Sequence, residues 1–400
     1  MGLFTAAERF LSLDRSVVKF ESESCLHTQN QFSDCEACFS MCPVSAIQPG
    51  SPPSLDSSKC VGCLACLPIC PVDAYAADDG VQALLTCIAR SETTHIEIVC
   101  EKNLNGEHGC SSNNIGIQVH GCLAGLGVGG LIALASMGME SIILRLDGCK
   151  DCALGNLRPH IVDQITQAKT LLSVWEKTDI LFSVSDLSEI IQRPLWNSKN
   201  PPLSRRDLFR LATRQGKIAI AHSIEKTKSG DNHQSGKDRR RIINAISHLS
   251  SLEVINDPIL TGETYSIIKV SEACTACGVC VRACPTGALQ FTTDDEGSYF
   301  ELDFLAQYCI GCRLCAHTCF PNAIVVENSP RFSQVFGSKE PSHLCQGDLS
   351  HCQNCNTVFK ARSGVQLCPA CDYRKTNPFG SRLPPGIKLP NRDLPKEVQH

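Results

Sequence analysis

Residues 60–71 read CVGCLACLPICP, a Cys-x2-Cys-x2-Cys-x3-Cys run closed by Pro71. The run recurs along the chain. A second copy is Cys274-x2-Cys277-x2-Cys280-x3-Cys284-Pro285. A third is Cys309-x2-Cys312-x2-Cys315-x3-Cys319, where Phe320 precedes Pro321 as if inserted. The fourth is stretched: Cys25, nine residues, then Cys35-x2-Cys38-x3-Cys42-Pro43. The copies pair by proximity, over residues 25–70 and 274–319. Three thiolates at this spacing wrap a loop around three corners of an iron–sulfur cube, and the fourth Cys reaches the other cluster of a pair. The Pro has no N–H to leave unpaired, so it is predicted to open a short helix leading away from the cluster. Zinc accepts the same thiolate donors. Four copies, each with a nearby Pro, favour iron.

Both paired segments resemble bacterial two-cluster ferredoxins. That resemblance implies four [4Fe-4S] clusters, cross-ligated within each pair. Carried over residue by residue, Cys25, Cys35, Cys38 and Cys70 hold one cluster, and Cys42, Cys60, Cys63 and Cys66 a second. Cys274, Cys277, Cys280 and Cys319 hold a third, and Cys284, Cys309, Cys312 and Cys315 a fourth. The long gap after Cys25 and the position of Phe320 depart from the family pattern.

The rest of the composition sets the context for this cysteine use. Of 400 residues, 27 are Cys, 42% are hydrophobic and the net charge is -4. No global basic field recruits nucleic acid or a membrane surface. The opening stretch, MGLFTAAERFLSLDRS, carries Glu8, Arg9, Asp14 and Arg15 and no apolar core, so no secretion signal is expected. This points to a reducing, cytoplasmic setting, in which regular Cys spacing signals metal rather than disulfides. Residues 121–139 carry no charge and are long enough to span a bilayer, but include six Gly. They are read as a glycine-rich turn feeding a buried helix, with no membrane span.

At the C-terminal end, Cys352-x2-Cys355 and Cys368-x2-Cys371 stand twelve residues apart. Two such knuckles place four thiolates at tetrahedral corners for one structural Zn. The segment resembles a zinc ribbon with Phe359 and Leu367 as its small core. A single rubredoxin-like iron is the alternative occupant.

Seven Cys remain, six of them between the two paired segments. Residues 95–99 (HIEIV), 115–120 (IGIQVH), 141–147 (SIILRLD) and 180–184 read as strands. Residues 131–139 and 156–174 read as helices. Alternating strands and helices predict a parallel sheet. Cys100, Cys122, Cys149 and Cys152 each come after a strand, and the carboxyl ends of parallel strands share one edge. This middle region, through Cys122 and the Gly148–Asn156 segment GCKDCALGN, resembles the delta subunit of methyl-viologen-reducing hydrogenase, which passes electrons to heterodisulfide reductase. The resemblance implies one [2Fe-2S] cluster there, with Cys87 and Cys110 as reserve ligands. Buried structural thiols are the alternative. The run Gly125-x-Gly127-x-x-Gly130, with Asp147 on the next strand, also outlines a dinucleotide fingerprint, so NAD or flavin binding stays open.

The predicted fold class is multidomain α+β and α/β: two ferredoxin-like dicluster domains flanking a parallel-sheet α/β domain, with a small C-terminal zinc ribbon. The expected division is 1–80 dicluster domain, 81–195 α/β domain, 196–262 helical and polar linker, 263–335 dicluster domain, 340–376 ribbon and 377–400 extended tail. Within the linker, SRRDLFRLA (204–212) resembles an internal twin-arginine motif. Residues 225–241 read as a mobile polar loop ending in a solvated run, Arg239–Arg241. No nucleophile–base pair is evident. The expected function is an iron–sulfur electron-transfer subunit between redox protein partners of a hydrogenase- or heterodisulfide-reductase-like, anaerobic oxidoreductase complex. The alternatives are a nucleotide-binding oxidoreductase and a non-redox assembly or regulatory protein.

Overall fold

The computed structural model describes residues 18–187, 191–202, 215–225, 233–262 and 264–377. The opening stretch, the 204–212 motif and the 378–400 tail lie outside these. The protein is a multidomain α/β structure.

Its middle is a five-stranded sheet in which every pairing is parallel. The strand order is Leu195–Asn197, Ile115–Val119, His95–Cys100, Ser141–Arg145, Leu181–Val184. Ile96, Ile98, Ile117, Ile142, Leu144 and Leu181 are fully buried, as expected of a sheet covered on both faces. Fully burying such a side chain contributes about 1.5–3 kcal/mol. One central residue breaks the apolar pattern. Glu97 has no exposure, and it pairs with Arg145 (3.0 Å) and Arg193 (3.2 Å). Burial alone would raise its carboxyl. Bonds from Asn114 and the Cys110 N–H, with the two guanidiniums, hold it below the usual range instead.

The edge strand Leu195–Asn197 straddles the expected boundary at 195 and carries the sheet into the segment expected to be linker. Three residues are too short to show alternation, and their partner strand lies some 80 positions earlier. The 196–262 stretch departs from expectation again further on. Gln215–Glu225 and Lys237–Leu249 are helices packed on the sheet domain rather than a spacer. Two of the three supposedly solvated arginines, Arg239 and Arg241, are buried, and Arg240 is half-buried against Asp73 (2.8 Å). Arg241 pairs with Asp79 (2.9 Å) and Glu225. Arg239 lies over the rings of Tyr265 and Phe336 and donates to the carbonyls of Gln307 (2.8 Å) and Cys309 (3.2 Å).

The glycine run opens the helix Gly127–Ser136, which is buried nearly all round. Among the described residues, no helix is long and apolar enough to cross a membrane. The dinucleotide reading fails on packing. A Cβ at Gly127 would collide with Asp238 and Pro68, and one at Gly129 with the Asp238 carbonyl. The Asp238 carboxyl accepts from the Gly129 N–H at 2.8 Å, taking the place at the helix N-terminus that a pyrophosphate would need. Asp147, the expected ribose partner, is held by Arg145 (2.7 Å) and Asn103 (3.2 Å).

The outer modules are small. In the first, Lys19–Phe20 pairs with Tyr75–Ala76 and Ile47–Gln48 with Ser54–Leu55, both antiparallel. In the second, Ser266–Val270 pairs with Ile324–Asn328 and Leu289–Thr293 with Tyr299–Phe304. The predicted boundary near 340 is bridged. Ser342–His351 pairs with Tyr299–Phe304 on one side and Val358–Lys360 on the other, so the C-terminal knuckles hang from the ferredoxin-type sheet.

We predict that Gly129→Ala lowers the melting temperature, through an overpacking cost of about 1–3 kcal/mol. An unchanged melting curve would mean that the Asp238 contact is not tight.

Candidate metal centres

The short helices of the outer modules are built by the Cys runs themselves. Ala37–Met41, Cys66–Ile69 and Val279–Ala283 each end at the fourth Cys, respectively Cys42, Cys70 and Cys284. Leu314–His317 stops just before Cys319. The fourth Cys therefore closes a helix instead of starting one. Beyond it the chain turns into a strand. The third residue after Cys is left-handed in every copy: Ser45 (φ 49°), Asp73 (55°), Gly287 (66°) and Asn322 (50°). The turn aims the next N–H back at sulfur. Ala46 donates to Cys42 Sγ at 3.2 Å, Ala74 to Cys70 at 3.2 Å, and Ala323 to Cys319 at 3.3 Å. Phe320 is thus no insertion. Cys319 and Ala323 are four positions apart, as Cys42 and Ala46 are. Phe320 holds the place of the Pro, which moves one residue on.

A second device surrounds the middle Cys of each regular triplet. Both of its neighbours are left-handed: Gly62 and Leu64, Ala276 and Gly278, Gly311 and Arg313, with φ between 57° and 68°. Left-handed residues alternating with ordinary ones turn successive N–H groups toward one concavity that suits an anion. The strain of the non-glycine members, about 1–2 kcal/mol each, marks these loops as functional rather than merely connecting.

The thiols fall into groups. Cys42, Cys60, Cys63 and Cys66 line one apolar cavity. Cys274, Cys277, Cys280 and Cys319 line another. Cys284, Cys309, Cys312 and Cys315 line a third. Cys25, Cys35, Cys38 and Cys70 also lie together, since Cys25 and Cys38 act on Cys35, and Cys35 on Cys70. Burial pushes Cys70, Cys280 and Cys312 up to about 12 and Cys309 to about 11, and neighbouring thiols in each group add to the rise. Such thiols stay protonated at neutral pH, so loading a metal must release protons.

The middle thiols also converge. Cys100 is raised by burial and by Cys152. Burial takes Cys149 to about 11, helped by Cys100 and Cys152. It takes Cys122 to about 12, helped by Cys100, Cys149 and, from the first outer module, Cys63. The reserve thiols are elsewhere. Cys87 is buried in the core on the helix Val81–Arg90, and Cys110 sits beside the Glu97–Arg145–Arg193 cluster. The glycine N–H groups beside these thiols are engaged elsewhere: Gly125 donates to the Cys122 carbonyl (3.0 Å) and Gly129 to Asp238.

At the C-terminal knuckles, the sulfurs of Cys352, Cys355, Cys368 and Cys371 all lie within 4.8 Å of one another. The Cys368 N–H, 3.2 Å from Cys352 Sγ, helps bring that thiol down to about 6. Phe359 is buried beside them with Leu367 packed against it. Sequence reasoning missed two groups near these centres. Cys345 lies beside Cys274, with the Lys360 ammonium 3.6 Å from its sulfur. Tyr75 lies against Cys38 of one set and Cys66 of another. Their sequence neighbourhoods carry no metal-ligand spacing.

Comparison with known proteins agrees with this geometry. A family model described as a 4Fe-4S dicluster domain matches residues 273–323, and one described as a 4Fe-4S binding domain matches 53–76. An uncharacterized ferredoxin of Methanocaldococcus jannaschii is 41% identical over 61 residues, 15% of this chain and 77% of that protein. The chain belongs to the ferredoxins. Two ferredoxin-type domains flank its parallel sheet, and both family matches lie outside that sheet.

We predict that Gly278→Val, which forces a β-branched residue to φ 65°, destabilises the second ferredoxin-type domain by about 1–2 kcal/mol. Thermal unfolding followed in that domain checks this. A neutral effect would mean that the loop does not need its left-handed turn.

Proposed function

We propose that this ferredoxin is an iron–sulfur electron-transfer subunit relaying electrons between redox protein partners, as in a hydrogenase- or heterodisulfide-reductase-like complex of the cytoplasm. The observation that carries the reading is the grouping of thiols by fours around separate apolar cavities. The donor set fits a cubane: four soft thiolates, with backbone N–H groups aimed at the sulfurs. When bound, such clusters supply one-electron transfer at potentials tuned by burial and hydrogen bonds.

On this reading Cys25, Cys35, Cys38 and Cys70 hold the first [4Fe-4S] cluster, and Cys42, Cys60, Cys63 and Cys66 the second. Cys274, Cys277, Cys280 and Cys319 hold the third, and Cys284, Cys309, Cys312 and Cys315 the fourth. Cys100, Cys122, Cys149 and Cys152 hold a [2Fe-2S] cluster, the reading under which the middle domain is akin to the hydrogenase delta subunit. Four crowded thiolates repel unless a metal shares their charge, which supports a metal there. Cys352, Cys355, Cys368 and Cys371 hold a structural Zn in a ribbon, because their sulfurs lie at single-ion spacing.

Anaerobic purification with metal and sulfide counting tests the assignment. The chain should carry about 16 Fe in cubanes, about two more in the middle domain, and one Zn. Cys284→Ser should remove the EPR signal of the Cys309–Cys315 set and spare that of its own triplet. Loss of the Cys274–Cys280 signal instead would overturn cross-ligation. Cys122→Ser in the full chain should cost about two Fe, and Cys371→Ser the Zn with all iron retained. Iron lost together with that Zn would show that the knuckles hold something else.

A further inference from the structure

We propose that the five thiol sets form one linear series, in the order middle, second, first, fourth, third, with an apolar seam of Leu26, Val72, Ile310 and Leu314 joining the two ferredoxin-type domains. The inference rests on the electron-transfer reading and adds its route.

Each junction is a packed contact. Between the middle and second sets, the loop carrying Cys122 lies on the loop carrying Cys63. A Cβ at Gly121 would stand 3.0 Å from Leu64 Cδ1, and one at Gly125 2.7 Å from Leu64 Cβ and 3.6 Å from the Cys63 carbonyl. The glycines of the middle domain are what allow this approach. Second and first sets share their scaffold. Cys38 and Cys42 belong to one short helix and its end, Cys66 and Cys70 to another. Fourth and third sets share theirs in the same way, through Val279–Ala283 with Cys280 and Cys284, and through Leu314–His317 with Cys315.

The junction between the domains is the new element. Leu26, Ile310 and Leu314 form a buried apolar cluster, and Phe32, Val72, Cys35 and Cys312 pack against it. Leu26 and Phe32 both lie in the nine residues that stretch the spacing between Cys25 and Cys35. Ile310 lies inside the Cys309–Cys312 loop. The departure from ferredoxin spacing therefore has a purpose: the extra residues build the face that meets the other domain. A strap reinforces it. The Gly236 N–H donates to the Pro71 carbonyl (2.8 Å) and the Lys237 N–H to Asp73 (2.6 Å), just after Cys70. From the same segment His233 reaches the Thr286 carbonyl (3.2 Å), just after Cys284. Cys35 of the first set and Cys312 of the fourth are thus brought to one seam. The far end of the series is the third set, whose Cys277 is the exposed thiol among the sixteen in the ferredoxin-type runs.

The test is microwave power saturation of the fourth set's EPR signal in the reduced, fully loaded chain. Removing the first set with Cys70→Ser should slow the fourth set's spin relaxation and narrow its signal to what coupling to the third set alone leaves, while Cys63→Ser, which removes the second, should not. Leu314→Gln guards against misfolding of the Cys70 variant. It keeps every thiol and should weaken the same coupling at full iron content. Relaxation of the fourth set that is indifferent to the first, and to the seam, overturns the series while leaving the electron-transfer reading intact. A chain without cubane iron overturns that reading itself.

Discussion

The half-buried carboxyl of Asp238, set against the N-terminus of the helix Gly127–Ser136, is the contact on which the arrangement of domains depends. Burial pushes this carboxyl up to about 7, against the opposing pull of Arg241 and the Gly129 N–H. A group in that position satisfies a helix N-terminus that has no solvent to turn to. It also fixes the helix Lys237–Leu249 against the sheet domain. The same helix and the residues before it bind Asp73, Asp79 and Pro71 on one side and the Gln307 and Cys309 carbonyls on the other. A segment that reads as a polar connector is the piece that all three domains share.

A second constraint comes from the thiols. Ferredoxin-type loops bury many sulfurs with little apolar material of their own. The cores beneath them are small, and their cysteines are part of those cores. Buried thiols held well above their usual range are inert as long as they are protonated. Once metal displaces their protons to solvent, the left-handed loops and the N–H groups aimed at sulfur stabilise the thiolate charge. Folding of these loops and loading of metal are thereby coupled, and the two-stranded pairings around them need little intrinsic stability.

The range of each interaction decided whether it was legible in the sequence. Ligand spacing is local, so the Cys-x2-Cys runs could be read directly, and the fold brings the same residues together. The parallel sheet was legible from its alternation of strands and helices, apart from the three-residue strand Leu195–Asn197. The burial of Arg239 and Arg241 was hidden, because their partners, Asp79 among them, lie up to 162 positions away. So was the fate of the glycine run. Glycine records that something approaches the backbone closely, not what approaches, and here Leu64 and Asp238 do so rather than a nucleotide. The left-handed turns were half legible, at Gly62, Gly278 and Gly311. Their partners Leu64, Ala276 and Arg313 adopt the conformation against propensity.

Cubanes on the ferredoxin-type thiols and a smaller cluster on the middle thiols should coexist in one chain. Mössbauer spectroscopy of the full-length protein, grown on 57Fe and purified without air, addresses this in one spectrum. Nearly all iron should fall in two components, cubane and two-iron, with areas of roughly eight to one. A spectrum dominated by mononuclear tetrathiolate iron, or one whose cubane component corresponds to only half of the ferredoxin-type sets, would contradict it.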